Sequence, residues 1–135
     1  MRPAILTLVL TTALLAAGCG AVPHLSANAG NPARGKALFI KNCSACHTLA
    51  DANTKGTVGP NLDDAFRYDK LQGFQQSTIR DVVRGQIAYA NSDPETGSPG
   101  MPTNIVQGQQ AKDVAVYVAK CSANPACGVT AAASG

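Results

Sequence analysis

The sequence predicts an all-α fold of three to five short helices, on three observations. Apolar residues recur with helical spacing, most clearly at Ala111, Val114, Ala115 and Val118, which fall at i, i+3, i+4 and i+7 on one helix face. No segment alternates in the manner of a strand, and no internal repeat occurs. Aromatic residues make up only 4% of the 135 residues and Trp is absent. Side chains alone therefore supply little bulk for a core, and a large flat apolar cofactor would make up the deficit.

The elements follow in chain order. Arg2 and an apolar stretch from Ala4 to Ala17, closing on Leu15-Ala16-Ala17-Gly18-Cys19, read as a secretory leader over residues 1–18 that is short for a bilayer span. Small residues before a Cys resemble a bacterial lipobox, in which Cys19 is acylated and becomes the mature N-terminus. Ala16 occupies the preferred Leu slot, with Leu15 one position further off, and an ordinary signal peptide with an incidental Cys is the alternative. In both cases the protein is exported. Lipidation would leave it membrane-anchored, facing the periplasm or cell exterior.

Residues 19–30 are small and polar and suit a flexible tether, followed by a domain over residues 31–127. Asn31 is an N-cap with Pro32 in the first turn. A first helix with apolar positions Ala33, Ala37, Leu38 and Ile40 is expected up to about Cys43. Thr54–Asn61 is loop, with short helical pieces around Asp63–Tyr68. Thr78 and Asp81 have capping-box spacing ahead of Val82 and Val83, with Gly85 as the stop of a third helix. Ala90–Pro102 is a long polar loop whose one large apolar side chain is Met101, and such loops usually serve a site. The last helix starts without a strong cap, Gly108 being the best candidate. A disordered tail is expected over residues 128–135.

The formal charge is +3 with scattered Lys and Arg, which excludes the footprint of a nucleic-acid binder. The chemistry lies in Cys43-Ser44-Ala45-Cys46-His47, the C-x-x-C-H pattern of haem c attachment. Two thiols on one turn reach both vinyl groups of one covalent haem, while the adjacent imidazole is delivered to the iron. Alternatives are a Cys43–Cys46 disulfide, a redox-active dithiol, or half of a zinc site completed by Cys121 and Cys127. The sixth ligand follows by elimination. Besides His47, the exported chain holds only His24, in the tether, and Met101. The Pro99-Gly100-Met101-Pro102 segment stiffens the backbone around that Met, and axial His with Met is a usual cytochrome c arrangement. A lone Met elsewhere would more often be core filler.

On these residues the chain resembles the bacterial type of class I cytochrome c over about Asn31 to Lys120. Gly35 and Phe39 resemble the family's first-helix Gly and aromatic, and Val114 with Tyr117 the facing pair on the last helix. The resemblance implies that these helices cross at the Gly. Gly59-Pro60-Asn61-Leu62 resembles the loop whose Pro carbonyl accepts the proximal imidazole N–H, so Pro60 would orient His47. The weak cap before Ala111 and the extra Cys pair depart from the family pattern.

With Cys19 assigned to lipid and Cys43 and Cys46 to haem, Cys121 and Cys127 remain, and in an oxidising compartment they are expected to pair as a disulfide. The reading is a single-electron carrier without enzymatic activity. Its expected partners are a terminal oxidase, a quinol-oxidising complex or a dehydrogenase, with the membrane reached through the lipid. The rivals are a haem enzyme or gas or redox sensor with a displaceable Met101, and a metal-binding structural lipoprotein.

Overall fold

The computed structural model describes residues 30–90 and 100–127. The expected leader, Cys19, His24, residues 91–99 of the long loop and the tail over 128–135 lie outside the described residues. Within them the chain forms helices α1 (Pro32–Asn42), α2 (Arg67–Leu71), α3 (Gln76–Ala88) and α4 (Gly108–Cys121), with a two-stranded antiparallel pair, β1 (Thr48–Leu49) and β2 (Thr54–Lys55).

Helix α1 starts where Asn31 accepts the Arg34 N–H at 3.0 Å through its side chain. Pro32 sits in the first turn, where its missing N–H is harmless. The helix buries Gly35 and Phe39. Helix α4 buries Val114, Ala115, Tyr117, Val118 and Cys121 along the face that the periodicity marks. The two helices cross at Gly35, where a Cβ would stand 2.0 Å from the Asp113 carbonyl oxygen and 2.7 Å from the Tyr117 Cβ. Only a residue without a side chain fits there.

Around that crossing Phe39 meets Tyr117 edge to face, with ring centroids 5.8 Å apart. Val114 and Val118 are buried beside them, and full burial of each such side chain contributes about 1.5–3 kcal/mol. Two acidic groups lock the pair. Asp113, 2% exposed, accepts from the Asn31 N–H at 2.7 Å, from Arg34 Nε at 2.8 Å and from Gln109 Nε2 at 3.0 Å. Asp51 accepts from the Tyr117 hydroxyl at 2.7 Å and pairs with Lys36 at 3.2 Å.

Five local expectations are corrected. Helix α3 begins at Gln76 rather than at a Thr78 capping box, and Gln75 caps it without a side-chain bond. The earlier start gives buried Ile79 a full preceding turn. Gly85 does not stop the helix, which runs on to Ala88 because Ile87 is buried in the core. Gly108 is the first residue of α4, at φ +54°, and Gln107 is the cap. Thr54 and Lys55 pair with Leu49 and Thr48 as strands; two residues are too few to show alternation in a sequence. The helical turn expected around Asp63–Tyr68 is α2, shifted to Arg67–Leu71.

Candidate functional site

The segment after α1 forms a tight turn. Cys43 closes the helix by donating its N–H to the Phe39 carbonyl at 2.8 Å, and its own carbonyl accepts from the Cys46 N–H at 3.2 Å and the His47 N–H at 3.0 Å. These bonds hold Cys43, Cys46 and His47 on one turn. Cys43 is buried in the core cluster, while Cys46 is partly exposed, and neither is in a disulfide.

The Gly56–Leu62 loop folds back over this turn. The Gly59 N–H donates to the Cys46 carbonyl at 2.8 Å and the Leu62 N–H to the Thr48 carbonyl at 2.9 Å. The Thr48 hydroxyl donates to the Gly56 carbonyl at 2.8 Å. Two glycines permit the approach. A Cβ on Gly56 would lie 2.5 Å from the Cys46 carbonyl carbon, and one on Gly59 2.5 Å from Cε1 of the His47 ring.

Between those anchor points the Pro60 carbonyl oxygen lies 2.9 Å from His47 Nδ1. A carbonyl can only accept, so Nδ1 is the nitrogen that donates here and Nε2 is the one left to ligate a metal. Neutral Nε2, oriented by a bond at the other nitrogen, is the donor that a haem iron requires.

Met101 is partly buried and packs against the core cluster that contains Cys43 and Phe39. The chain following it is fixed, with the Asn104 N–H on the Ile87 carbonyl at 2.7 Å and Val106 buried. The loop thus has an apolar anchor just past Met101, which its polar composition conceals.

The remaining cysteine chemistry is narrowed by its surroundings. Burial, with Cys46 as the second cause, pushes the Cys43 thiol up to about 11, so it stays protonated at neutral pH. A redox-active dithiol needs the opposite shift. Cys121 and Cys127 are joined in a disulfide with Cα atoms 5.2 Å apart, and so offer no thiolates to a zinc half-site at Cys43 and Cys46. Asp51 lies near this pair, but its carboxylate is engaged by Tyr117 and Lys36.

The residues fit a covalent haem. The two thiols and one correctly protonated imidazole share a turn, and a thioether packs against the same cluster. Large hydrophobics flank the turn in sequence without joining the core, Ile40 at 45% and Val58 at 47% exposed. Thr48, Gly56 and the contact of Gly59 with the imidazole escape sequence reasoning. Their one local signal is the Gly-x-x-Gly-Pro spacing of Gly56, Gly59 and Pro60 shortly after a C-x-x-C-H motif.

Residues 32–122 match the family model described as Cytochrome c.

Proposed function

The chain belongs to the cytochrome c family, and on that premise we propose that it is a His/Met-ligated monohaem carrier of class I, passing single electrons between exported or membrane-bound redox complexes. The family carries covalently attached haem c and serves in electron transfer, and its domains are usually exported. In this chain Cys43 and Cys46 would hold the haem through thioether links, and His47 and Met101 would ligate its iron. The observation that carries the reading is the His47–Pro60 bond, which engages Nδ1 and leaves Nε2 as the ligating nitrogen on the same turn as the two thiols.

When bound, the haem supplies a one-electron couple that needs no substrate site. The protein's own residues do the rest. Pro60 fixes the imidazole plane and keeps its Nδ1 proton, making His47 a more basic donor. Met101 supplies a neutral thioether that favours the reduced state and raises the potential. With both His47 and Met101 on the iron, no site would be left open for turnover, which would distinguish a carrier from a haem enzyme or a gas sensor.

The leader and Cys19 support export with a lipid anchor. A tether of this length spans about 20 Å on a flexible-chain estimate, keeping the domain close to the membrane. A terminal oxidase, a quinol-oxidising complex or a dehydrogenase is then within reach as a partner. The absorption spectrum tests the reading. The purified protein is expected to show low-spin c-type bands when reduced and a weak far-red sulfur-to-iron band when oxidised. High-spin bands that respond to added carbon monoxide would favour the enzyme or sensor instead.

A further inference from the structure

We propose that Thr48 is a positioning residue for His47: it grips the Gly56–Leu62 loop at both ends and so sets the bond between Pro60 and the imidazole. The proposal rests on the reading of His47 as the iron ligand.

Four hydrogen bonds join Cys46–Leu49 to Gly56–Leu62 among the described residues. Two are backbone to backbone, from Gly59 to Cys46 and from Leu62 to Thr48, and any side chain would preserve them. The third is His47 to Pro60 itself. The fourth, from Thr48 Oγ1 to the Gly56 carbonyl at 2.8 Å, is the one that a substitution elsewhere than His47 removes. Thr48 therefore holds the loop's start through its hydroxyl and the loop's end through its carbonyl, with Pro60 between the two.

The coupling is tight because nothing cushions it. Gly56 rests against the backbone of Ala45, Cys46 and His47, and Gly59 against the imidazole, at separations that admit no Cβ. A displacement of the Gly56 end is therefore passed to the Pro60 carbonyl. Thr48 also pairs with Lys55 in the short ladder, which fixes where its hydroxyl points. Without the hydroxyl the Gly56 carbonyl loses this donor and the loop end is released. The Nδ1–H···O bond then weakens, and His47 becomes a poorer donor that stabilises the oxidised state less.

Thr48→Val keeps the shape and removes the donor; Thr48→Ser keeps the donor. In reduced holoprotein, NMR reads the exchange of the His47 Nδ1 proton, and electrochemistry reads the midpoint potential. Thr48→Val is expected to speed that exchange about fivefold to tenfold, the factor one hydrogen bond carries, and to shift the potential upward, with Thr48→Ser returning both. Thr48→Ala is read the same way if the valine variant does not accumulate with haem. Native exchange and potential in the variants lacking the hydroxyl would overturn the assignment. If native His47 ring protons lack the upfield shift of a haem ligand, the ligation reading itself fails, an outcome distinct from failure at Thr48.

Discussion

His47 Nδ1 lies 2.9 Å from the carbonyl oxygen of Pro60, a residue 13 positions further along the chain, so the protein's own backbone orients the imidazole. The bond depends on a loop that two glycines allow to lie against the attachment turn. Ligand orientation is thus a consequence of backbone packing, and it can be perturbed without touching a ligand.

Gly59→Ala tests that dependence. Its Cβ would stand 2.5 Å from His47 Cε1 and 2.9 Å from Nδ1, so either the ring or the loop must move. The expected outcome is a longer His47–Pro60 bond, loss of part of the covalently loaded protein during maturation, and a raised potential in what remains. Haem content per protein and voltammetry check it.

Gly35→Ala acts at the α1–α4 crossing rather than at the site. A methyl group 2.0 Å from the Asp113 carbonyl oxygen forces the helices apart along their whole contact, which includes Phe39 and Tyr117. Overpacking of this kind costs about 1–3 kcal/mol or more. Urea denaturation of the holoprotein should show the loss, while the absorption bands of the folded fraction stay unchanged.

Acid stability follows from Asp113. The Arg34 guanidinium first, and then the Asn31 N–H and Gln109, hold its carboxyl below the usual carboxylate range despite burial. Its folded value is lower than its unfolded one. Its contribution is therefore complete above the ordinary carboxylate value of about 3.9 and is lost as pH falls through the folded value. Arg34→Gln should move the acid-unfolding midpoint to higher pH, and circular dichroism against pH measures the shift.

Much of this architecture is legible in the sequence where the signal is local. The Asn31-Pro32 start of α1, the buried face of α4 and the C-x-x-C-H turn depend on neighbours a few residues apart. Helix α3 extends beyond both of its sequence signals, because Thr78–Asp81 and Gly85 imitate cap and stop, whereas burial of Ile79 and Ile87 sets the helix. The grip of Thr48 on Gly56, the lock of Asp51 on Tyr117 and the anchoring of the chain after Met101 arise only when distant segments meet. Beyond the Gly-x-x-Gly-Pro spacing of Gly56, Gly59 and Pro60, the sequence carries no trace of them.

Membrane attachment is tested at Cys19. Cys19→Ser removes the one acylation site that the leader offers, and the protein is expected to move from the membrane fraction to the soluble one. Fractionation followed by haem staining reads this directly. Persistent membrane association would assign the anchorage to an uncleaved leader or to a bound partner.

The most direct test of the carrier reading is the reduction potential of Met101→Ala, measured together with carbon monoxide binding. Cys43 and Cys46 should still hold the haem covalently, and Val106 with the Asn104–Ile87 bond should keep the following chain in place. The account predicts a markedly lower potential, loss of the far-red band, and an iron open to carbon monoxide. A variant with the native potential and spectrum would contradict it, by showing that another residue is the distal ligand.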